Sequence, residues 1–264
     1  MDVSQLRQAF LGSSTAYEKA EKLSKRWTYD TVTAVERFYE DQSAQAFDQG
    51  ETKTVWDREE PSPKDGILTL HIIPIGSMLD QTSLPIEELE GKHGVFCPLV
   101  AMGCEGKINL KGVQYFLGNR DVNVYTQLHR FGAVEVVAEQ LVWQRDGGRE
   151  LLGRKINQEL KDKLPGYLKG MRELGASPPL FIKMQLSRVK NSTLETGSPN
   201  AYYTHGEPEF VGRSIELPGI VLTDYPDAAK INVIGKELLD PLWNAYGRAR
   251  CSYFDDEGVW LDSI

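Results

Sequence analysis

The clearest alternation of hydrophobic and polar residues lies between positions 108 and 143. Three extended runs follow one another there, over residues 109–117, 121–130 and 133–143. Breaks that contain glycine, at 118–119 and 131–132, separate the runs. In the second run one strand face holds Val122, Val124, Thr126 and Leu128, and the other holds Asn123, Tyr125, Gln127 and His129. This period of two is typical of a half-buried strand, and the short breaks predict a three-stranded meander.

Hydrophobic residues recur every three or four positions in three other segments of the chain. These segments span residues 4–49, 154–175 and 228–246. Such spacing gives a helix one apolar face, so we predict amphipathic helices that pack on a core. Pro165 lies inside the middle segment and predicts a kink or a division of that helix.

Further extended segments complete the predicted fold. Residues 67–75 are apolar on both faces of a strand, which predicts an interior position. Two more strand-like segments lie at 180–189 and at 213–223, where Pro218 and Gly219 interrupt the second. We therefore predict an α+β fold: a mainly antiparallel sheet with a three-stranded meander, flanked by amphipathic helices at the N-terminus, in the middle and at the C-terminus.

A polar segment with several structure-breaking residues, from position 50 to position 66, indicates a surface connection. It predicts an N-terminal helical segment over residues 1–50 and an α+β body over residues 51–264, with one continuous domain as the alternative. A second polar, turn-rich segment, at 191–212, predicts a long excursion or a lid beside the body.

The composition is that of an ordinary globular protein, with 41% hydrophobic and 26% charged residues in 264. No apolar run approaches the roughly 20 residues that span a bilayer, and the first residues lack the pattern of a signal peptide. The cysteines are Cys97, Cys104 and Cys251, an odd number that fits a reducing compartment. We therefore predict a cytoplasmic protein that does not enter a membrane, with buried thiols at Cys97 and Cys104.

The net charge of −8 disfavours general binding of nucleic acid, because proteins that neutralise phosphates are usually basic. Two small basic clusters still allow a local patch that binds nucleic acid. They consist of Lys22, Lys25 and Arg26, and of Arg149, Arg154 and Lys155. Direct nucleic-acid binding by this chain alone is thus not expected.

The sequence contains none of the common catalytic or nucleotide-binding motifs. It lacks a Gly-rich loop ending in Lys-Ser or Lys-Thr, a GxGxxG, a GxSxG, an HExxH and a CxxC. The wide spacing of Cys97 and Cys104 does not fit a zinc site either. We therefore expect no cofactor and no metal, and the absence of motifs lowers the expectation of an enzyme without excluding one.

A catalytic or binding site would have to form where the first strand, the meander and the 191–212 segment meet. The candidate acid, base or phosphate-binding residues are His71, His129, Arg130 and His205, and the candidate ligand-binding residues are Tyr203 and Glu135. Each has a structural alternative. A histidine inside an apolar strand, such as His71, is more often a core residue that hydrogen-bonds a neighbour, and carboxylates such as Glu135 are routine on exposed strand faces.

Several segments together resemble one family. They are LRQAFLGSS, GETKTVW, LTLHIIPIGSM, the meander INLKGVQYFLG to VYTQLHRFGAVEVV, LPGYLKGMRELG and LWNAYGRARCSYFDDEGVW. In this order they are similar to the C-terminal region of bacterial proteins with an N-terminal Schlafen AlbA-type domain, which are described as DNA-binding or ATP-binding proteins. The similar region leaves out the AlbA-type domain itself, so those two activities do not transfer. The chain also departs from the family at Phe131, where a polar residue usually precedes the glycine.

We therefore expect, first, a non-catalytic interaction, oligomerisation or sensing module of a nucleic-acid-associated bacterial system. The resemblance implies antiviral defence as its setting. One alternative is a hydrolase that acts on a nucleotide or a nucleic acid, and another is a small-molecule sensor that uses the same cleft. The expected partner is another protein or a second copy of the chain.

Overall fold

The computed structural model describes residues 15–33, 66–79, 83–101, 103–117, 124–145, 148–196 and 208–261. The helices are α1 (residues 15–33), α2 (Ile75–Leu79), α3 (Ile86–Leu89), α4 (Gly153–Glu173) and α5 (Ala228–Ala245). The first seven strands are β1 (Ile67–Pro74), β2 (Glu105–Asn109), β3 (Gly112–Phe116), β4 (Tyr125–His129), β5 (Val134–Ala138), β6 (Val142–Arg145) and β7 (Gly148–Leu151). The remaining strands are β8 (Leu180–Ser187), β9 (Ser192–Leu194), β10 (Ser214–Glu216) and β11 (Ile220–Leu222).

An eight-stranded antiparallel sheet forms the centre of the molecule. Its strand order is β10-β8-β1-β5-β4-β3-β2, and β11 also pairs with β8, beyond β10 along the same strand. The α+β fold class with a mainly antiparallel sheet and helices at the N-terminus, middle and C-terminus is thereby confirmed. A smaller sheet has the order β6-β7-β9, in which β7 and β9 run parallel.

The predicted meander is present as β3, β4 and β5, which pair in sequence. The structure differs from the pattern in two ways. A further strand, β2, precedes the meander and pairs with β3, and the third predicted run divides at Glu139 and Gln140 into β5 and β6. The expectation of a half-buried strand is wrong for β4, because Gln127 and His129 on its polar face are each only 3% exposed.

The main core lies between one face of the large sheet and the helices α4 and α5. Strand β1 is buried along its whole length, as its apolar sequence predicts. Its residues on this face pack with one side of both helices; the set includes Leu68, Leu70, Ile72, Leu160, Leu164, Leu238 and Leu242. The sheet therefore has helices on both sides, with α1 on the second face.

Local signals explain where the long helices begin and end. Helix α4 continues through Pro165, so the helix is not divided there. It ends before Gly175, whose φ of +74° suits glycine, and the Ala176 amide donates back to the Met171 carbonyl oxygen. At the start of α5 the Asp227 carboxylate accepts from the Lys230 amide at 2.9 Å. None of the described helices has both the length and the apolar composition needed to cross a membrane.

Helix α1 packs on the body through small and aromatic side chains. Ala16, Ala20 and Trp27 contact a patch formed by Ile73, Ile75, Ala133 and Phe181. The connection at 50–66 lies outside the described residues except for Gly66, so a boundary near residue 50 stays a prediction. Of the 191–212 segment, residues 191–196 contain β9, and residues 197–207 lie outside the described part.

Candidate functional site

Polar side chains on neighbouring strands form a row across the face of the sheet that α1 covers. The strand register places Lys183 of β8 beside His71 of β1, His71 beside Glu135 of β5, and Glu135 beside Gln127 of β4. In an antiparallel sheet such cross-strand neighbours lie within contact distance. The row therefore joins a lysine, a histidine, a carboxylate and an amide from positions far apart in the sequence.

Helix α1 bonds this face of the sheet through three hydroxyl groups that share one side of the helix. Ser24 Oγ shares a hydrogen bond of 2.7 Å with His71 Nδ1. Thr28 Oγ1 lies 3.2 Å from Thr69 Oγ1. The spacing of three or four residues aligns these hydroxyls with a third, that of Thr31, along the helix. The residues Ser24, Thr28, Thr31, Thr69, His71, His129 and Glu135 form what we call the α1 cluster.

Glu135 is the anion at the centre of the α1 cluster. Its Oε1 accepts from Thr31 Oγ1 at 2.9 Å and from the Tyr125 hydroxyl at 3.3 Å. Its Oε2 lies 3.4 Å from His129 Nε2, within ion-pair distance but outside hydrogen-bond geometry. Burial alone would raise the pKa of Glu135, and its contacts with His129, His71 and Thr31 outweigh that effect and hold the pKa below its usual value.

His71 is a neutral core histidine. Burial lowers its pKa to about 4, although the nearby Glu135 carboxylate acts in the opposite direction. Its Nε2 atom has no hydrogen-bond partner among the described residues. The neutral ring therefore uses Nδ1 to hold α1 through Ser24.

Two further contacts attach α1 to this face. The Trp27 indole stacks on His129 and meets the edge of His71, with ring centroids 4.2 and 5.4 Å apart. The Lys183 ammonium, on a side chain only 6% exposed, lies 3.5 Å from Glu21 of α1 and 4.0 Å from Glu216 of β10. A buried ammonium needs such partners, and α1 and β10 each supply a carboxylate to Lys183.

The α1 cluster brings together three of the residues singled out from the sequence: His71, His129 and Glu135. Every member is at most 6% exposed, so a substrate does not reach them while α1 is in place. Arg130 lies in the turn after β4, partly exposed. Tyr203 and His205 lie outside the described residues. The arrangement holds a helix on a sheet with hydrogen bonds in place of a purely apolar interface.

A second feature of the site is a cavity of about 420 Å³ near the C-terminal part of α1. It is lined by Val32, Arg149, Ser187, Arg188, Lys190, Arg213 and Ser214. We call it the basic cavity, because four of these residues are cationic and none of the described lining residues is acidic. This concentration of positive charge contrasts with the net charge of −8 of the chain.

The basic cavity lies where the two sheets meet. Arg149 belongs to the small sheet, and its guanidinium Nη2 donates to the Arg188 carbonyl oxygen at 2.8 Å. Ser187 at the end of β8 pairs with Ser214 of β10, so both serines belong to the large sheet. Arg188, directly after β8, has a φ of +60°, a left-handed conformation that costs a non-glycine residue about 1 kcal/mol. Strained residues of this kind cluster at binding sites.

Sequence reasoning missed most of the basic cavity. Only Arg149 belonged to a basic cluster that the sequence displays, and the other cationic residues come from two segments more than 20 positions apart. No spacing rule links them, because the junction of the two sheets is what brings them together.

The cysteines and the acidic residues form no further site in the described part of the chain. Cys97 and Cys251 are buried, and Cys104 is partly exposed, which corrects the expectation that it is a buried thiol. Burial raises the pKa of Cys104 and that of Cys251 to about 12, so both stay protonated. Among the described residues, no group of three or more potential ligands could hold a metal ion.

Comparison of the chain with protein-family models, with curated proteins and with solved structures found no match. The resemblance to the C-terminal region of Schlafen AlbA-type proteins stays a prediction.

Proposed function

We propose that this protein is a non-catalytic sensing module that binds a phosphate-bearing small molecule in the basic cavity. The observation that carries the proposal is the convergence of Arg149, Arg188, Lys190 and Arg213 on one cavity of an acidic protein. An anionic ligand in the cavity would be attracted by all four of these charges. A guanidinium group also presents paired donors that match phosphate oxygens.

The size and lining of the cavity favour a molecule of nucleotide size. A volume of about 420 Å³ falls within the range of roughly 300–1,000 Å³ that is typical of small-molecule sites. The hydroxyls of Ser187 and Ser214 add neutral groups that can donate to phosphate oxygens, and Val32 gives one apolar contact. The same volume is too small for a nucleic-acid duplex, which supports a small ligand over a polymer.

Helix α1 is the element whose docking would respond to ligand binding. Val32 lies one position after Thr31, whose hydroxyl bonds Glu135, and Val32 also lines the cavity. A ligand that contacts Val32 therefore contacts the helix that the α1 cluster holds on the sheet. Binding stabilises the docked helix by the free energy of that contact, and the docked helix in turn favours the ligand.

The hydrolase alternative has less support from the geometry. His71, His129 and Glu135 would be its acid–base groups, and all three are at most 3% exposed beneath α1. In the basic cavity the described lining residues are cations, serines and a valine, which bind phosphate but supply no carboxylate or imidazole as a general base. The setting in a nucleic-acid-associated defence system follows from the family resemblance and belongs to the proposal.

Isothermal titration calorimetry with ATP, ADP, AMP, pyrophosphate and inorganic phosphate tests the binding site. We expect at least one of these probes to bind, more weakly as the salt concentration rises. Arg188→Gln and Arg213→Gln should each weaken binding about tenfold or more, because a hydrogen bond to a charged group contributes about 1.5–3 kcal/mol.

The matched control is Arg172→Gln. It removes the same charge from an exposed position of α4, outside the cavity, and should leave affinity unchanged. If none of the five probes binds, or if Arg172→Gln weakens binding as much as Arg188→Gln, the proposal is wrong. Hydrogen exchange of residues 15–33 with and without the bound probe then tests the sensing step. Unchanged exchange would mean that the protein binds the ligand without any effect on α1.

A further inference from the structure

The outermost strand of the large sheet, β2, has an open edge. The strand order ends at β2, and among the described residues no strand pairs with its outer side. Positions 105–108 are exposed, and Ile108 has 49% of its surface accessible. Leu110, in the turn that follows, is 98% exposed. An edge of this kind presents backbone donors and acceptors to which another strand can bind.

The edge has neither a bulge nor a proline, two of the features that prevent such pairing. All five residues of β2 pair regularly with β3, from Glu105 opposite Phe116 to Asn109 opposite Gly112, so no bulge twists the strand away. The strand contains no proline, and Lys107 is its one positive charge. Backbone groups along the strand are therefore able to continue the sheet.

We propose that a second copy of this chain pairs with the edge, antiparallel, about a twofold axis at Gly106. In that register Glu105 of each copy lies opposite Lys107 of the other. Both side chains lie on the same face of β2, because residues two apart in a strand share a face. The pairing therefore forms two equivalent Glu–Lys contacts, as a twofold-symmetric interface requires.

The remaining positions fit the same register. The two Gly106 residues meet at the axis, where neither has a side chain to collide with the other. Ile108 lies opposite Cys104, so its exposed apolar surface gains an apolar neighbour on the face of Tyr115 and Val113. The dimer would continue the antiparallel sheet through both copies. This inference is independent of the ligand proposed for the basic cavity.

Charge reversal at the two strand positions tests the register. Sedimentation equilibrium of the full chain at about 150 mM salt, which screens the repulsion between two acidic copies, measures the dimer. Glu105→Lys places lysine opposite lysine, and Lys107→Glu places glutamate opposite glutamate. We expect each single variant to weaken dimerisation at least tenfold, and the double variant, in which the charges are exchanged, to restore it.

An equimolar mixture of the two single variants gives a stricter test of the register. One copy then carries two lysines and the other two glutamates at positions 105 and 107, so native mass spectrometry should show the heterodimer in excess over either homodimer. Lys230→Glu makes the same charge change at an exposed position of α5, away from the edge, and should leave the dimer unchanged.

Circular dichroism of every variant checks that the monomer folds, which we expect because both positions are exposed. A wild-type chain that stays monomeric at all concentrations overturns the proposal. A dimer that tolerates both single reversals overturns it as well, because the interface then lies elsewhere.

Discussion

The indole of Trp27 lies flat against the imidazole of His129, with ring planes 2° apart and centroids separated by 4.2 Å. Trp27 belongs to α1 and His129 to the last position of β4, so the stack joins the covering helix to the meander. Hydrogen bonds from the same helix surround it, at Ser24, Thr28 and Thr31. This combination makes α1 part of the folded body and explains why polar residues on the sheet are buried.

Trp27→Ala should destabilise the protein by about 3–5 kcal/mol, the usual cost of truncating a buried aromatic side chain. Only 8% of Trp27 is exposed, and its removal leaves a gap over His129 and His71. Urea unfolding followed by circular dichroism measures the loss. Tyr29→Ala is the control, because Tyr29 lies in the same helix but is 72% exposed, and we expect a change within about 0.5 kcal/mol. Equal losses in the two variants would contradict the docking of α1.

Two threonines of α1 differ in their hydrogen-bond partners, one of which is charged and the other neutral. Thr31→Val removes a donor from the buried Glu135 carboxylate, which we expect to cost about 1.5–3 kcal/mol. Thr28→Val removes a bond to the neutral Thr69 hydroxyl and should cost about 1 kcal/mol or less. Both threonines are nearly buried, so the substitutions match in size and environment. Thermal and urea unfolding of both variants, side by side, give the difference, and a larger loss at Thr28 would contradict the assignment.

Stability should fall on acidification because of His71. Its pKa is about 4 in the folded protein against 6.5 ordinarily, so between these values the unfolded chain binds the proton that the folded protein does not. The unfolding free energy therefore decreases as the pH falls from 6.5 to 4, by up to the order of 3 kcal/mol. Glu135 acts in the same direction at lower pH, because its pKa is lowered in the folded protein. Its contribution to the free energy of unfolding is fully present above the ordinary pKa of 4.5, and it is lost as the folded protein binds the proton.

Urea unfolding at half-unit steps between pH 7 and pH 4 measures this slope. His71→Gln should flatten it above pH 4.5, since the variant lacks the titrating ring. His93→Gln removes an exposed histidine and should retain the wild-type slope. A wild-type slope in His71→Gln would assign the pH dependence to other groups.

The sequence predicted the strands better than it predicted which of their faces are buried. The alternation in β4 and the apolar run of β1 locate both strands, because local periodicity follows directly from the pleat. The same alternation suggested that Gln127 and His129 face water, and the structure buries them. Helix α1 covers His129 with the Trp27 indole, while Gln127 accepts from Asn109 and donates to backbone carbonyl oxygens. Ser24 and Thr28 of α1 look like ordinary polar helix positions until they meet His71 and Thr69, their partners on the strand face. No local pattern contains that information, because the partner residues are 40 or more positions apart.

Gly166 and Gly170, both in the interior of α4, should respond to alanine in opposite ways. At Gly170 a Cβ atom would lie 2.5 Å from Val95 Cγ1 and 2.7 Å from Phe96 Cζ, so we expect Gly170→Ala to destabilise by about 1–3 kcal/mol through overpacking. At Gly166 the nearest neighbour of a Cβ atom, the Val95 carbonyl oxygen, would be 3.6 Å away. Gly166→Ala should therefore stabilise by about 0.5–1 kcal/mol, the helix preference of alanine over glycine.

Differential scanning calorimetry of both glycine variants measures whether each substitution raises or lowers the melting temperature. Each variant is the control for the other, since the helix, the substitution and the neighbouring Val95 are the same. Stabilisation by both substitutions would mean that α4 does not pack closely on the segment at Val95 and Phe96.

The central position of β1 also determines when the sheet can form during synthesis. β1 pairs with β5 on one side and with β8 on the other, and Pro74 meets Leu180 after roughly 100 residues of intervening chain. A ribosome that adds about 5–20 residues per second therefore leaves one edge of β1 unpaired for on the order of 5–20 s after the strand emerges. During that interval the apolar strand β1 has an unpaired edge, so the solubility of the nascent chain depends on how early the meander and α1 cover this strand.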